Sequence, residues 1–336
     1  MHKRHFVRTG LALALGLGLA AVSQAQQWKP TKPINLVVPW AAGGSTDQVT
    51  RVTAAELEKV LGQKIVVVNQ PGASGSIGTK GVWDAPHDGY TWAAGAAQDL
   101  GVYQALGMLD VPAKDWHLFL TVANVPVVGA HAAGPYQSMA QLLEAMKAKP
   151  GQVKVSTGGV ASSSFNAIEL IAKTAGVSYR HVPYDGGNPA VISTVSGETD
   201  VTTQLAVEQA DHIRAKRLRP LAAVSDKPLE LEGFGTIEPI TKTLPNVKVT
   251  TNYFGIFIPK GVPPEIVATM TKIWNENIKS NPEIRKYAVS RGALFQPVGG
   301  DEAQKAAAPA IAANAWLMHD GGKTKVAPDT LGIARP

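Results

Sequence analysis

The stretch VVPWAAGGSTDQVTR, residues 37–51, has the residue types of an anion-binding loop. An apolar strand leads into two glycines, then into hydroxyl and carboxylate side chains, and then into a helix. The first turn of a helix has unpaired N–H groups and a partial positive charge, and glycines let a ligand approach the backbone. The candidate ligand residues of this first loop are Trp40, Ala41, Ala42, Gly43, Gly44, Ser45, Thr46 and Asp47.

A structural role is the alternative for the polar residues of the first loop, since Ser45, Thr46 or Asp47 can each cap the following helix. Capping does not exclude binding, because a cap and a ligand can share one helix end. The loop is not a P-loop, which needs Gly-Lys-Ser/Thr, and it lacks the G-x-G-x-x-G spacing of a dinucleotide site.

A second glycine-rich loop, residues 69–78, also runs from a predicted strand into the start of a helix. In open parallel sheets, ligands bind at the carboxyl ends of the strands, where neighbouring loops meet. Two such loops can hold one carboxylate between them. The candidate ligand residues of this second loop are Ala73, Ser74, Gly75, Ser76 and Ile77.

Short β-branched runs alternate with helical patterns along the chain, which predicts an α/β fold. The first series is a βαβαβ unit, which predicts a parallel sheet with right-handed crossovers. Its strands are predicted at 34–39, 64–69 and 90–94, and its helices at 48–61 and 77–83. A second series begins near Val125, with strands at 153–156, 178–182, 200–205 and 219–224 and helices at 138–149, 164–174, 188–196 and 207–215.

The end of the chain is predicted to be mainly helical. Residues 226–249 are rich in Pro, Gly and Thr and are predicted to form a loop, and residues 253–258 are predicted to form a strand. An amphipathic helix is predicted at 263–280, and two further helices near 282–291 and 301–316.

The N-terminus has the pattern of an export signal. A basic start is followed by the apolar run Leu11–Val22 and then by Ser23-Gln24-Ala25. This predicts a signal peptide over residues 1–25, cleavage after Ala25 and a periplasmic location. The chain has 336 residues and no cysteine, so two domains fit its length and the fold depends on its core.

The charge of the mature chain does not indicate a nucleic-acid partner. Removing Lys3, Arg4 and Arg8 from the 32 basic residues leaves 29 against 26 acidic residues. The one basic cluster, residues 214–219, lies where a helix is predicted to end and complements its dipole. The histidines show no metal-ligand spacing, so no metal or cofactor is expected.

Several longer motifs are similar to those of the Bug family, the extracytoplasmic substrate-binding proteins of tripartite tricarboxylate transporters. The similarity extends over nearly the whole mature chain, in the order of the family. The segments that carry it are PWAAGGSTD at 39–47, IVVVN at 65–69, PGASGSIG at 71–78, HDGYT at 87–91, VPYDGG at 182–187 and GIFIPKGVP at 255–263.

The resemblance implies a two-domain periplasmic-binding-protein clamshell, in which each domain is a mostly parallel sheet flanked by helices. Domain 1 would comprise residues 26–124 and 250–336, and domain 2 residues 125–249. The ligand would be a small organic acid with at least one carboxylate, held by the two glycine loops. The closed protein, expected to be a monomer, would dock on the membrane permease subunits of a tripartite transporter.

The resemblance also implies that domain 2 supplies the second wall of the cleft. The serines at 162–164 follow a predicted strand and begin a helix, so they can donate hydrogen bonds to the distal end of a ligand. Alternatively, one of them only caps the helix, and Asn166 faces solvent. The candidate ligand residues of this wall are Ser162, Ser163, Ser164, Asn166, Thr203 and Gln204.

Asp185 is also a candidate ligand residue, and it departs from the family pattern, in which a Lys commonly follows the Pro-Tyr pair. In the cleft it would repel a second carboxylate and favour a solute with one carboxylate and a neutral, amino or aromatic far end. If Asp185 faces water, it says nothing about the ligand. Trp40, where relatives often have Phe, packs on an aromatic ligand or fills the domain interface.

Two other functions remain open from the sequence. A clamshell of this kind can present its ligand state to a membrane sensor kinase. An exported hydrolase would need the nucleophile elbow G-x-S-x-G, but GASGS at 72–76 misses that spacing by one position. We therefore expect a binding protein and not an enzyme.

Overall fold

The computed structural model describes residues 28–336, so the predicted signal peptide, residues 1–25, lies outside the described residues. The strands are β1 Ile34–Val38, β2 Ile65–Asn69, β3 Thr91–Ala96, β4 Trp116–Asn124, β5 Val127–His131, β6 Lys154–Thr157, β7 Arg180–Pro183, β8 Val201–Thr202, β9 Leu218–Ala223, β10 Leu229–Leu231, β11 Gly235–Ile237, β12 Tyr253–Pro259 and β13 Ala293–Gly299. The helices are α1 Ser45–Leu61, α2 Ser76–Asp84, α3 Ala97–Ala105, α4 Met139–Ala148, α5 Ser163–Ala175, α6 Gly187–Val195, α7 Ala206–Arg214, α8 Pro264–Ile273, α9 Pro282–Arg291 and α10 Asp301–Asp320.

The first sheet has six strands in the order β13-β4-β12-β3-β1-β2. Strands β2, β1 and β3 are parallel, as the predicted βαβαβ order requires. Strands β12, β4 and β13 extend the sheet in antiparallel register. The carboxyl ends of β1, β2 and β3 therefore share one edge, and they lead into α1, α2 and α3 respectively.

The second sheet has five strands in the order β7-β6-β8-β5-β9. Strands β7, β6 and β8 are parallel and lead into α6, α5 and α7, whereas β5 pairs antiparallel with β8 and β9. The predicted α/β class with two helix-flanked sheets is confirmed, and each sheet is mixed, with parallel strands on the side that leads into helices.

Buried tryptophans anchor the first sheet beneath its loops. Trp92 on β3, Trp116 on β4 and Trp274 after α8 are at most 1% exposed. The Trp274 indole donates to the Leu120 carbonyl at 2.7 Å, which ties the end of α8 to β4. This packing gives the loops after β1, β2 and β3 a rigid base. No helix of the described chain is long and apolar enough to cross a membrane.

Most predicted elements are present with ends shifted by a few residues, and Ser138 caps α4 as predicted. The sequence did not predict α3, β4, β5 or β13. All nine residues of α3 are buried, so it has no polar face to reveal a helical period. The predicted loop 226–249 contains the hairpin β10-β11, and the predicted helix 263–280 is α8 followed by a π-helical turn.

Candidate functional site

A cavity of about 30 Å³ lies between the loops that follow the parallel strands of the two sheets. Four helices, α1, α5, α6 and α7, begin at this cavity. Their first turns make it favourable for a negative group. The lining residues are Trp40, Gly44, Ser45, Thr46, Asp99, Gly158, Ser162, Ser163, Ser164, Gly187, Gln204, Leu205, Glu208 and Phe254.

The cavity thus brings together predicted residues from both sheets. The predicted residues that follow strands of the first sheet are Trp40, Gly44, Ser45 and Thr46. The predicted residues that follow strands of the second sheet are Ser162, Ser163, Ser164 and Gln204. The lining residues that sequence reasoning missed are Asp99, Gly158, Gly187, Leu205, Glu208 and Phe254. Asp99 and Glu208 both lie in first turns of helices that follow parallel strands, but only the fold shows that they reach the cavity.

The Asp47 carboxylate holds the first loop in shape instead of lining the cavity. Its Oδ2 accepts from the Gly43 N–H at 2.9 Å, and its Oδ1 accepts from Arg51 Nε at 2.9 Å and from Asn69 Nδ2 at 3.0 Å. Burial alone would raise the pKa of Asp47, but these hydrogen bonds and the Arg51 charge outweigh burial and lower it. Asp47 is therefore ionised and fully engaged within its own loop.

Glu208 of α7 reaches across the cavity to the start of α1. Gly44, and none of the three predicted caps, is the N-cap residue of α1. Glu208 Oε1 accepts from the Ser45 N–H at 2.8 Å, and its Oε2 accepts from the Leu205 N–H at 3.1 Å. When the Gln204 amide is oriented so that both its oxygen and its nitrogen have partners, its nitrogen also donates to Glu208 Oε2 at 2.8 Å. One carboxylate thus joins the starts of α1 and α7.

Asp99, in the first turn of α3, is the second acidic residue of the cavity. It is 3% exposed, and its Oδ1 has no hydrogen-bond partner among the described residues. Burial raises the pKa of the Asp99 carboxyl well above its usual range. Burial also raises the pKa of Glu208, although hydrogen bonds from Ser45 and Leu205 offset part of that effect.

The serines at the start of α5 are hydrogen-bonded to protein groups. Ser162 is the N-cap residue, and its hydroxyl accepts from the backbone N–H three residues later at 3.2 Å, so the capping alternative holds for it. Ser164 Oγ accepts from the Gly158 N–H at 3.0 Å. Ser163 Oγ accepts from Gln98 Nε2 at 3.0 Å, which connects α5 with α3.

Three predicted residues of the second wall lie outside the lining. The Thr203 hydroxyl donates to the Ser164 carbonyl at 2.7 Å and is a structural contact. Asn166 is buried rather than facing solvent, and it lines a neighbouring cavity. Asp185 is exposed and does not line the cavity, so the specificity predicted for it has no contact to act through.

The second glycine loop packs against the second sheet's loops instead of lining the cavity. The Ser76 hydroxyl donates to the Ala73 carbonyl at 2.9 Å, and the Ile77 side chain is 60% exposed. Ser74 lies against Gly159, where an added Cβ would come within 2.4 Å of Ser74 Oγ. The loops after β2 and β6 are therefore in direct contact.

Trp40 both lines the cavity and fills space between the loops. It is 8% exposed, and a Cβ added at Gly75 would lie 2.9 Å from its ring. Ala41 lies beside Gly186, where an added Cβ would come within 3.1 Å of the Ala41 nitrogen. Ala42 is exposed. The first loop thus also contacts the second sheet's loops, and we call this set of contacts the closed arrangement.

Ion pairs connect the two halves at their edges. Lys173 of α5 pairs with Asp320 of α10 at 2.8 Å, and Asp211 of α7 pairs with Arg291 of α9 at 2.5 Å. Hydrogen bonds from Arg335 and Lys173 lower the pKa of Asp320 to about 2. These pairs hold helices of the second sheet to helices of the first.

The chemistry of the cavity is hydrogen-bonding recognition. Among residues 28–336, no histidine lines it. No group of three His, Cys, Asp or Glu within the described chain could hold a metal ion. What the site offers is helix first turns, hydroxyls, one amide and two carboxyl groups.

Two mixed sheets whose helix-starting edges face each other across one small cavity define a solute-binding protein of the periplasmic type. The profile of the TctC family, described as tripartite tricarboxylate transporter family receptor, matches residues 49–312. The chain belongs to this family, as its sequence motifs predict.

Known proteins are similar to this chain in sequence and in fold. A Pseudomonas sp. (strain P51) protein described as UPF0065 protein in the tcbD-tcbE intergenic region is 31% identical over 280 residues, 82% of each chain. The R. palustris protein Rpa4515, solved with adipate, is 25% identical with a TM-score of 0.78, covering 87% of this chain and 98% of its own. MatC from Rhodopseudomonas palustris, solved with bound malate, is 22% identical with a TM-score of 0.73, covering 90% and 99%.

Proposed function

We propose that this protein captures a small carboxylate-bearing organic solute in the periplasm and delivers it to a tripartite tricarboxylate-type membrane transporter. The observation that carries the proposal is the start of four helices at one cavity between the two sheets. Helix first turns bind anions, and the cavity, at about 30 Å³, is far smaller than ligand pockets of roughly 300–1,000 Å³, as for a cleft that is closed without a solute.

On this proposal, the solute carboxylate accepts hydrogen bonds from first-turn N–H groups that make no hydrogen bond within the protein. Gly43 and Ser45 donate to Asp47 and Glu208, so their N–H groups are engaged. The N–H groups of Thr46, Ser163 and Ser164 lie in first turns of α1 and α5, where no intrahelical carbonyl is available, and all three residues line the cavity. A carboxylate there would bridge the two sheets.

Bridging both sheets gives a mechanism of capture by closure. We take domain 1 as residues 26–124 and 250–336 and domain 2 as residues 125–249, since the strands of each sheet fall within these ranges. A solute that contacts both domains binds the closed arrangement better and shifts the population toward it. The closed form then docks on the membrane permease subunits.

The relatives support the class of solute and the destination. The adipate of Rpa4515 and the malate of MatC are both dicarboxylates. The family description, a receptor of the tripartite tricarboxylate transporter, supports delivery to a permease. The N-terminal pattern supports export with cleavage after Ala25. We take the mature protein as a monomer, the default for this architecture.

A thermal-shift screen of residues 26–336 tests the proposal. The panel contains mono-, di- and tricarboxylates, amino acids and neutral controls such as glycerol. A ligand at 100 times its dissociation constant adds about 2.7 kcal/mol to the free energy of unfolding. Stabilisation by some carboxylates and not by neutral controls is expected. A folded, ligand-free protein that no carboxylate stabilises would contradict the proposal.

Two substitutions at Ser163 test the donors directly. Proline is tolerated at the first position of a helix and removes one N–H, and Ser162 already has the extended conformation that must precede it. We expect S163P to weaken all carboxylates about tenfold, since a hydrogen bond to a charged group is lost. S163A keeps the N–H and is the matched control, with a smaller loss. Equal losses in both variants would exclude the backbone donor.

A further inference from the structure

Two acidic side chains face one cavity that has no basic residue in its lining. Asp99 approaches from the first sheet and Glu208 from the second. Within residues 28–336, no Lys, Arg or His lines the cavity. A buried carboxylate is normally paired with a cation or with several hydrogen-bond donors. The fold supplies donors for Glu208, but Asp99 Oδ1 has no partner among the described residues.

A structural role does not account for Asp99. It lies in the first turn of α3, yet the helix start has no side-chain cap hydrogen bond from any residue. Its nearest titratable neighbour on the helix is Tyr103, one turn later and equally buried, which adds no positive charge. A buried, unpaired carboxyl costs free energy, and such a cost persists where the group has a use.

The hydrogen-bond capacity of the two carboxyl groups fits an ammonium ion. A carboxylate has about four acceptor positions. Glu208 already accepts from the Ser45 and Leu205 N–H groups, from the Ser45 side chain and from Gln204, whereas Asp99 Oδ1 has no partner among the described residues. An ammonium group has three donors and a positive charge, so it satisfies the remaining acceptors and offsets the charge of both side chains. A metal ion fits less well, because no third His, Cys, Asp or Glu completes a site in the described chain.

We propose that the solute is zwitterionic, with a protonated amine bound by Asp99 and Glu208 and a carboxylate bound by the helix first turns of the same cavity. This rests on the proposed function and narrows the solute to amino acids and similar amino-bearing organic acids. The two kinds of recognition lie within one small cavity, so the amine and the carboxylate must be separated by a few bonds only. Specificity for the amine then arises from Asp99 and Glu208 and not from the exposed Asp185.

Isothermal titration of residues 26–336 with matched pairs of compounds tests the inference. The pairs are succinate with aspartate and glutarate with glutamate, and each pair differs by one amino group. Putrescine serves as an amine without a carboxylate. We expect the amino-bearing member of each pair to bind at least about tenfold tighter, as for a close charge pair in a partly desolvated site. Putrescine should bind weakly, because it lacks the carboxylate.

The outcomes separate this inference from the proposed function. If the plain dicarboxylates bind as tightly as their amino partners, or more tightly, the amine inference is wrong and the proposed function stands. If putrescine alone binds, recognition of an amine holds and the carboxylate function fails. A folded protein that binds no member of the panel overturns both.

Conservative variants assign the effect to the two carboxyl groups. D99N and E208Q keep the size of each side chain and remove its charge, so each should bring the affinity ratio within a pair toward one. S163P should weaken both members equally and leave the ratio unchanged. D110N, at an exposed aspartate, is the matched control and should alter neither value. An unchanged ratio in both D99N and E208Q contradicts the inference even if the amino acids bind tightly.

Discussion

Glu208 Oε1 accepts a hydrogen bond from the Ser45 backbone N–H at 2.8 Å, although the two residues begin helices that follow different sheets. The carboxylate of α7 thereby takes one of the first-turn donors of α1, at the helix end where an external carboxylate was expected. Because the acceptor is a carboxylate and the donor lies at a helix N-terminus, the bond is charge-assisted. It stabilises the closed arrangement from within the protein.

Removing this bond should open the ligand-free protein. We expect E208A to shift the population away from the closed arrangement, because Ser45 loses the acceptor that reaches it from α7. Small-angle X-ray scattering of the ligand-free protein should show a larger radius of gyration for E208A than for the wild type. E276A, at an exposed glutamate after α8, is the control and should leave the radius unchanged. An identical radius in all three proteins would show that the bond does not govern closure.

Asp99 should cost the ligand-free protein stability. Its carboxyl is buried, so ionisation is costly in the folded state, and D99N, which cannot ionise, is expected to increase the free energy of unfolding at pH 7 by about 1.4 kcal/mol for each unit by which the pKa is raised. Urea unfolding of D99N, the wild type and the exposed control D110N measures the change. If replacing a site residue increases the free energy of unfolding, that residue is retained for binding and not for stability.

The same substitution predicts a pH dependence with a definite sign. Burial raises the folded-state pKa of Asp99 above the ordinary value of 3.8, so the folded protein holds this proton more tightly than the unfolded chain. The contribution of Asp99 to the free energy of unfolding therefore falls as the pH rises above about 4. The neighbouring Tyr103 and Glu208 are neutral or negative and do not reverse the sign. The advantage of D99N should be absent below pH 4 and grow above it; an advantage constant with pH would contradict this origin.

The sequence predicted the parts of the site that depend on local backbone geometry. Strand, glycine and helix start recur after β1 and β6, so Ser45 could be placed at the cavity from its motif, and Ser163 from the family resemblance. Asp99 could not be placed at the cavity from the sequence, because α3 is buried on all sides and shows no amphipathic pattern. Glu208 was missed for a different reason. It occupies an ordinary position in the first turn of α7, and its role comes from the contact with Ser45, 163 residues earlier.

Of the antiparallel strands, the sequence predicted β9 and β12 but not β4, β5 or β13, and it did not predict their order in the sheets. Strand β12 inserts between β3 and β4, and β13 pairs with β4, so these neighbours are distant along the chain. The residues of β4 are almost all buried and lack the alternation that indicates a strand. For Asp185 the sequence left two alternatives, the cleft or solvent, and the residue is exposed and outside the lining.

The ion pair between Lys173 and Asp320 should tune affinity without altering specificity. It lies at the edge of the closed arrangement and touches no lining residue, so K173E should weaken every ligand by about the same factor, roughly two- to fivefold for a partly exposed pair. The double variant K173D/D320K should restore part of the loss. Titrations at low and high salt should show the difference shrinking with salt. A change in the preference order among ligands would contradict a purely conformational role.

Gly159 should be required for closure through its contact with Ser74. Its φ is +116°, and an added Cβ would come within 2.4 Å of Ser74 Oγ, so G159A both strains the backbone and separates the loops after β2 and β6. Gly151 separates the two effects, since its φ is +70° and nothing lies within 4 Å of an added Cβ. Both alanine variants should lose about 1 kcal/mol of stability from backbone strain.

Ligand affinity should distinguish the two variants. We expect G151A to bind as the wild type does, whereas G159A should bind every ligand more weakly, because the closed arrangement that both domains must reach is obstructed. The double variant S74G/G159A removes the hydroxyl that the new methyl group meets, so it should regain affinity while keeping the backbone strain. If G159A binds normally, or if S74G/G159A regains nothing, the contact between Ser74 and Gly159 is not part of the closed, ligand-bound state.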